Sequence, residues 1–537
     1  MALNKKILAI GIGAVAVVGA VVGVVVAKAQ PKGMTIAVSE LPDSLNPVLE
    51  QNVSGLNANE LIFDGLVNFE VDPVSGKRYT ELALAENIEQ DEKTRKNYIV
   101  TLRNDVAWND GEDGNPGTPV TSADVVYSYK AYTYEGNKSP LRDYLLSFIK
   151  DVTAVDDKTV NIEFNDPIPS YSAIPVLTFK IVPSKYNGID MNVDMRSGEN
   201  ERKFSQKPVG TGPFKLVSWE IGKWLTFSSN GLYFKQVPQA DSLVIKRTID
   251  PVVRKNELSK GRINVILETN PMDRPTIEKI DNVDINSFLP YAFYQIEINT
   301  GLFKNPDARK AMAQALDKPN LIPSITDRTT GVVINNGPYP TNIFQEAIPD
   351  YVNEPLPNLL PYDIERAKSL ASSSGLAGQN VNLIYPDSMG DFGKALAESV
   401  ASQLKEIGLN VEAKRTGNQV FNRMVYKEKS FELALVYHDG FDNLYSTIDS
   451  LYRSGSEANV SGIADRELDS LFDDLAKQNK TEDVAKQIMK INEKVSDLCP
   501  ALYLCTLQKD VYSRGLSNVL IASDNPFLSV EDWKFKN

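Results

Sequence analysis

Hydrophobic and polar positions repeat along this chain in short patterns that predict β-strands separated by amphipathic helices. The most regular stretch is 380–437, where Gly393–Ile407 reads as a helix because its large aliphatic residues recur at helical spacing. Strands are predicted around it at Asn380–Tyr385, Leu409–Lys414 and Phe431–Tyr437, with a second helix at Gln419–Tyr426. This β-α-β-α-β order implies right-handed crossovers and a parallel sheet.

A β-hairpin is predicted within 208–233, where Phe214–Trp219 and Trp224–Ser228 flank a short turn that contains a glycine. Gly210 and Gly212 precede the first strand of this hairpin. Two explanations fit these glycines. One is a tight turn that needs positive φ, and the other is a point where two backbones approach closely.

Further strands and helices are predicted on both sides of these segments. The strands are Met34–Ser39, Tyr98–Arg103, Val152–Val155, Thr159–Phe164, Ser242–Ile249, Ile263–Glu268, Tyr291–Asn299 and Ala501–Leu507, and the pair Val152–Val155 and Thr159–Phe164 is predicted to form a second hairpin. The helices are Leu56–Val67, one capped by Thr121 or Ser122 and running through Ala131, Val253–Lys260, Pro306–Leu316, Leu468–Lys477 and Glu482–Leu498. The mixture predicts an α/β protein, and 537 residues suffice for two to four domains.

The N-terminus carries an uncharged apolar segment, Ile7–Ala27, directly after Lys5 and Lys6. Its length matches a bilayer span of about 20 residues and exceeds the roughly 7–15 apolar residues of a signal-peptide core. However, residues 27–29 fit the small-x-small pattern of a cleavage site, and cleavage there would leave a chain that begins at Gln30. Both a membrane anchor and a cleaved signal peptide are therefore open. In either case we expect the rest of the chain to be exported.

Composition narrows the chemistry that this chain can perform. The net charge of −13 does not favour binding to nucleic acid or anionic lipid, because both are negatively charged. One histidine, His438, and two cysteines are too few for a zinc site built from Cys and His ligands. No G-x-S-x-G elbow accompanies that histidine, which disfavours a serine-hydrolase triad. The acidic loop Glu112–Thr118 lacks the residue order of an EF-hand, so we expect a solvated loop without metal or cofactor.

The two cysteines, Cys499 and Cys505, lie six residues apart in the stretch CPALYLC, which reads as a strand after Pro500. An extended chain of this length spans roughly 20 Å, whereas a disulfide needs Cα atoms within roughly 7 Å. We therefore expect two free, buried thiols.

Candidate ligand-binding residues follow the third strand of the predicted parallel sheet. Ligands collect at the carboxyl ends of such strands. The residues leaving Phe431–Tyr437 are His438, Asp439, Gly440, Phe441 and Asp442. Two carboxylates, an aromatic ring and a glycine are suited to hold a cationic group of a ligand. The same sequence also fits two Asx turns, so the local pattern leaves both readings open.

Five stretches, taken together, resemble the large extracytoplasmic solute-binding proteins of oligopeptide- and dipeptide-type ABC importers, called family 5. They are Leu102-Arg103 with Trp108–Gly111; Thr121–Val126; Pro208–Leu216 with Trp219, Glu220, Asn230 and Tyr233; Phe303–Asn305 with Ala308–Ala311; and Asn459 with Asp465 and Leu468-Asp469. The stretch within 208–233 is the most distinctive. Their order and spacing extend the resemblance from about Met34 to Trp533.

The resemblance implies a bilobed clamshell of the type II periplasmic-binding-protein kind, with an extra small α/β domain on the first lobe. The implied boundaries are a signal peptide or anchor at 1–30, first-lobe pieces at 31–56, 168–290 and 500–537, the small domain at 57–167, and the second lobe at 291–499. The chain returns to the first lobe with a final strand after Pro500.

The resemblance also implies a function: a monomeric periplasmic or cell-surface receptor that captures peptides and delivers them to an ABC permease in the membrane. It implies no enzyme activity. The nearest alternative is the same role for a sugar, an opine or a metal chelate. A two-carboxylate hydrolase is a more distant one, because no spacing singles out a pair among the 70 acidic residues.

In peptide-binding members of that family, an aspartate in a Gly-Trp-x-Ala-Asp-like stretch receives the α-ammonium group of the ligand. The similar region here is Tyr437–Asp442, in which an ungapped match places Phe441 at the aspartate position and His438 at the tryptophan. Either Asp442 or Asp439 would then take the aspartate's role. The candidate ligand-binding residues are Tyr437, His438, Asp439, Phe441 and Asp442, with Asn46 from the turn after the first predicted strand.

Overall fold

A computed structural model describes most of the chain. The described residues are 32–50, 53–74, 76–111, 115–168, 170–269, 273–326, 331–339, 356–438, 446–478, 480–522 and 525–536. None of the helices within these ranges combines the length and apolarity that crossing a membrane requires. The apolar segment Ile7–Ala27 lies outside them.

The first large sheet has seven strands. In spatial order they are Phe214–Glu220, Trp224–Ser229, Ser242–Arg247, Gly33–Val38, Val265–Ile266, Lys509–Arg514 and Val283–Phe288. The three central strands run parallel, so their carboxyl ends meet at one edge. The antiparallel pair at one side of the sheet confirms the predicted hairpin within 208–233.

The second large sheet has six strands. In spatial order they are Val332–Ile334, Ala501–Leu507, Phe293–Ile298, Leu433–His438, Asn380–Pro386 and Asn410–Thr416. Asn380–Pro386 pairs in parallel with both neighbours, which confirms the predicted β-α-β-α-β arrangement. Helix Gly390–Lys405 buries Leu396, Val400 and Leu404 in the core of this lobe.

A smaller antiparallel sheet lies within the region assigned to the extra domain. Its strands, in spatial order, are Ala85–Gln90, Asn97–Leu102, Thr159–Phe164 and Ile149–Asp156, and the last two confirm a second predicted hairpin. Three two-stranded pairs complete the strands of the described residues: Val67–Val71 with Arg78–Leu82, Lys185–Tyr186 with Ile189–Asp190, and Leu516–Ser517 with Lys534–Phe535.

Helices cover the sheets. In the part of the chain that the structure describes, the α-helices are Val53–Ile62, Ser122–Thr133, Arg142–Phe148, Ser170–Ala173, Glu199–Gln206, Pro251–Ser259, Arg274–Ile277, Pro306–Gln314, Lys318–Thr326, Ile364–Ser373, Gly390–Lys405, Asn418–Asn422, Ser446–Tyr452, Arg466–Ala476 and Thr481–Leu498. Single turns of 3-10 helix occur at Glu135–Asn137, Ile174–Thr178, Asp387–Met389 and Val530–Asp532. The helix predicted at 419–426 is α-helical up to Asn422 and then continues as the π-helical turn Arg423–Lys427.

The chain passes between the two large sheets at two neighbouring places. It leaves the first sheet after Phe288 and enters the second at Phe293. It returns at Gln508, between Ala501–Leu507 in the second sheet and Lys509–Arg514 in the first. The return therefore differs from the boundary expected at residue 500. Ala501–Leu507 pairs with Phe293–Ile298 of the second lobe, and its sequence has no feature that selects one sheet over the other.

Gly210 and Gly212 lie against the end of helix Val53–Ile62. A Cβ atom on Gly210 would stand 1.8 Å from the carbonyl oxygen of Ile62, and one on Gly212 would stand 2.7 Å from its carbonyl carbon. The amide of Gly212 donates a 2.8 Å hydrogen bond to that oxygen. Neither glycine has positive φ. Of the two explanations for these glycines, the close approach of two backbones is therefore the one observed.

Both cysteines are free and buried, as expected. Burial raises the pKa of the Cys499 thiol to about 12 and also raises the pKa of Cys505. Thiols in such surroundings stay protonated at neutral pH and are poor nucleophiles.

Candidate ligand-binding cleft

A cavity of about 1590 Å³ lies between the two large sheets and is lined from both. The first lobe contributes residues that follow its parallel strands, including Ser39, Glu40 and Glu268. The second lobe contributes Tyr294, Tyr437 and other residues: Pro386, Ser388, Met389, Phe392, Asn418, Phe421, Asn422, Tyr426 and Val436. Binding sites for drug-sized molecules measure about 300–1,000 Å³, so this cavity has room for a larger ligand.

Aromatic rings form part of the second-lobe wall. The ring centroids of Tyr294 and Tyr437 lie 4.7 Å apart, and the Phe392 and Tyr294 rings meet in a T-shaped contact with 5.1 Å between centroids. Lys509, the residue after the return crossing, places its Nζ 5.2 Å from the centroid of the Tyr437 ring. The wall beside the crossings therefore offers apolar area together with a positive charge.

The first-lobe wall carries charges of both signs, at a strand end and on the neighbouring helices. The Glu268 carboxylate accepts hydrogen bonds from the Ser39 amide at 3.0 and 2.9 Å and lies 3.7 Å from the Arg254 guanidinium. Asp273 forms a 2.8 Å ion pair with Lys255. The Ser39–Glu268 contact joins the ends of two adjacent strands, whereas the ion pairs involve helix Pro251–Ser259, and both carboxylates line the cavity.

The predicted site residues Tyr437 and His438 lie on opposite faces of the same strand, because successive strand side chains alternate. Tyr437 lines the cavity. His438 is 9% exposed, and its Nε2 lies 2.8 Å from Oε1 of the buried Glu297. Its ring packs 5.6 Å from that of Phe293. The histidine thus contributes to the interior of the second lobe and is not among the residues that line the cavity.

Asn46 is fully buried in the turn after the first strand. Its Oδ1 accepts a hydrogen bond from the Val48 amide at 3.0 Å, and its Nδ2 donates one to Ser205 at 3.1 Å. The neighbouring residues Ser44 and Leu49 line the cavity, but Asn46 does not. Its side chain stabilises the turn that presents those neighbours.

The other three predicted site residues, Asp439, Phe441 and Asp442, lie outside the described residues. The strand that precedes them in sequence, Leu433–His438, brings Tyr437 to the cavity.

Sequence reasoning missed most of the cavity wall. Glu268 could have been predicted from the sequence as a cavity residue. Like Tyr437, it is the last residue of a predicted strand, and ligands collect at the carboxyl ends of such strands. Phe392 and Tyr426 carry no such signal, because they come from helical segments that reach the cavity only through packing. Within the described ranges, no group of three or more His, Cys, Asp and Glu residues is placed to hold a metal ion.

Comparison with known protein families decides what this two-lobed structure is. Residues 80–461 match the model for bacterial extracellular solute-binding proteins, family 5. The chain belongs to this family. The family 5 assignment covers the small sheet, much of the first lobe and the parallel part of the second, and it agrees with the resemblance noted in the sequence.

Individual relatives support the same family 5 assignment. The chain is 26% identical over 372 residues to the dipeptide-binding protein of Escherichia coli (strain K12), a match that covers 66% of this chain and 65% of that protein. It is 24% identical over 403 residues to di/tripeptide-binding protein 2 of Pseudomonas aeruginosa (strain UCBPP-PA14), covering 72% of each.

The fold matches a crystal structure over nearly the whole chain. The ABC transporter substrate-binding protein CtaP of Listeria monocytogenes superimposes with a TM-score of 0.80 and 21% sequence identity, covering 94% of this chain and all of that one. The expected fold class, a bilobed α/β clamshell, is confirmed.

Proposed function

We propose that this protein is the substrate-binding component of an ABC importer, which captures peptides between its lobes and delivers them to a membrane permease. The observation that carries the proposal is the 1590 Å³ cavity that both large sheets line, with two chain crossings beside it. The named relatives that bind dipeptides and tripeptides support a peptide as the solute.

Binding and lobe closure are coupled in this proposal. A ligand that touches both walls binds the closed form better than the open one and so shifts the population toward closure; equal affinity for both forms would shift nothing. The crossings after Phe288 and at Gln508 are short and adjacent, as suits a hinge. Backbone pairing between an extended peptide and an exposed strand would give affinity without strict sequence requirements.

We further propose that Asp442 or Asp439 receives the peptide's α-ammonium group. Their position just after cavity-lining Tyr437 supports this role. A charge-assisted hydrogen bond of this kind is worth more in a water-poor cleft than on a surface. We expect Asp442→Asn or Asp439→Asn to weaken the binding of a peptide with a free amino terminus, as measured by calorimetry, with little change in melting temperature. Unchanged affinity in both variants would remove this role.

Mass spectrometry of ligand that co-purifies with the native protein tests the proposed solute most directly. We expect a mixture of short peptides. A single sugar, opine or metal chelate would favour the same receptor role for a different solute and would overturn the peptide proposal. A receptor also returns its ligand chemically unchanged, so hydrolysis of the recovered peptides on incubation would contradict the proposed lack of enzyme activity.

We also propose that the receptor acts as a monomer outside the cytoplasm, exported by its N-terminal segment. N-terminal sequencing of the membrane fraction separates the two forms of this proposal. A start before Lys5 supports a retained anchor, whereas a start at Gln30 supports a cleaved signal peptide.

A further inference from the structure

The guanidinium of Arg78 lies between two aromatic rings beside the crossings. Its central carbon is 4.0 Å from the centroid of the Phe69 ring and 4.4 Å from that of the Tyr291 ring. The side chain is only 8% exposed. Cations over aromatic faces are more strongly held when water is excluded, so this sandwich is a tight contact within the protein.

One side of the sandwich belongs to the first lobe. Phe69 and Arg78 lie on the paired strands Val67–Val71 and Arg78–Leu82. The amide of Val71 donates a 2.9 Å hydrogen bond to Ser529 Oγ. Phe69 packs against a cluster formed by Val71, Ala522 and Leu528. The hairpin is thereby fixed to the C-terminal segment of the chain, after its return to the first lobe.

The other side belongs to the second lobe. Tyr291 lies in the crossing segment 289–292. Its side chain packs in the hydrophobic core that contains Phe293, Tyr339 and Tyr452, all on the second-lobe side of that crossing. The Arg78 guanidinium therefore joins a ring that packs in the first lobe to a ring that packs in the core of the second.

We propose that Arg78 is a positioning residue that sets the equilibrium between lobe orientations. A change in the angle between the lobes slides the Tyr291 ring across the guanidinium, so the sandwich favours the angle at which both faces stack. The planar guanidinium can stack on two rings at once, whereas the ammonium of lysine is a compact, strongly hydrated charge. The proposal concerns lobe motion in the proposed receptor and holds with or without a ligand.

The distance across the cleft tests this proposal. Ile221 is an exposed turn residue of the first lobe, and Val420 is exposed on a second-lobe helix whose neighbouring residues line the cavity. Spin labels on Ile221→Cys and Val420→Cys would report that distance by pulsed electron paramagnetic resonance in the ligand-free full chain. The two native cysteines are buried and do not compete for label.

We expect Arg78→Leu and Arg78→Lys to change the ratio of the interlobe distance populations by on the order of tenfold, because both remove the double stacking. Arg103→Leu is the matched control. Arg103 lies 5.3 Å from the Phe234 ring, and both residues are on the first-lobe side of the crossings. This variant should leave the distances unchanged.

Arg78 variants that keep the wild-type distance distribution, even with a lowered melting temperature, would overturn the proposal and leave Arg78 a purely structural role. An equal shift in Arg103→Leu would overturn it as well. Because no ligand is added, either result is independent of whether the protein binds peptides.

Discussion

At the scale of single residues, the second lobe encloses a lysine that lacks a carboxylate partner among its described contacts. Lys318 is 9% exposed and donates a 2.9 Å hydrogen bond to the carbonyl oxygen of Asn335. Burial lowers the pKa of Lys318 from 10.5 to about 8. Because this pKa is lower in the folded state, stability rises as the pH increases from about 8 toward 10.5, and the full penalty applies below pH 8.

Lys318→Met should therefore be more stable than the wild type at pH 7, and the difference in melting temperature should shrink as the pH approaches 10. Differential scanning calorimetry at several pH values measures it. Lys394→Met, at a solvent-exposed helix position, should show no comparable trend. A constant difference across the pH range would show that the effect comes from packing and not from charge.

A second buried group changes stability in the opposite direction. Burial raises the pKa of Glu531 well above its ordinary value of 4.5, and the nearby Glu70 raises it further. A carboxyl group whose pKa is raised on folding contributes stability that is fully present below the ordinary pKa and is lost as the pH rises through the folded-state value.

Glu531→Gln should thus be more stable than the wild type at pH 8, with a gap that closes toward pH 4. Thermal melts across this range check the prediction. Asp532→Asn, at the next position in the chain, serves as the control. A gap that widens on acidification would contradict the assigned sign.

At the scale of elements, the entry to the 208–233 hairpin depends on backbone contact. A methyl group on Gly210 would overlap the carbonyl oxygen of Ile62, which is backbone and cannot rotate away. We expect Gly210→Ala to destabilise the protein by about 1–3 kcal/mol, the usual range for an overpacked site. Calorimetric melting against Gly231→Ala measures this, since a Cβ on Gly231 would meet nothing within 4 Å. Equal melting temperatures would contradict the proposed contact.

Secondary structure was largely predictable because short-range patterns determine it. The parallel strands of the second lobe and both hairpins follow from hydrophobic periodicity and turn residues, and the structure contains all of them. Ala501–Leu507 was also predicted with the bounds observed. The sheet that this strand joins was not predicted, because a strand that is buried along its whole length fits the interior of either lobe.

At the scale of the whole molecule, the proposed function predicts that a ligand stabilises both lobes together. A peptide at 100 times its Kd adds about 2.7 kcal/mol to the free energy of unfolding. We expect a defined mixture of di- and tripeptides to raise the melting temperature in scanning calorimetry, with the same mixture of N-acetylated peptides as a weaker control. Equal shifts from both mixtures would contradict recognition of the amino group.

The sequence by itself determined the periodic elements, the free cysteines, the family and the edge of the second sheet where a ligand site was expected. Each of these rests on information within a few tens of residues or on motifs in a fixed order. Tyr437 became a candidate because it begins the stretch that resembles the family's aspartate-containing region, and its side chain lines the cavity.

Only the tertiary structure decided which side chains share the cleft. It brought Ser39, Glu268 and Tyr437 to one cavity although they are far apart in the sequence. In the folded chain the His438 side chain lies in the interior of the second lobe, and the Asn46 side chain stabilises a turn. These outcomes depend on which sheet a strand joins and which face a side chain takes after packing. Both are set by long-range contacts that no local pattern contains.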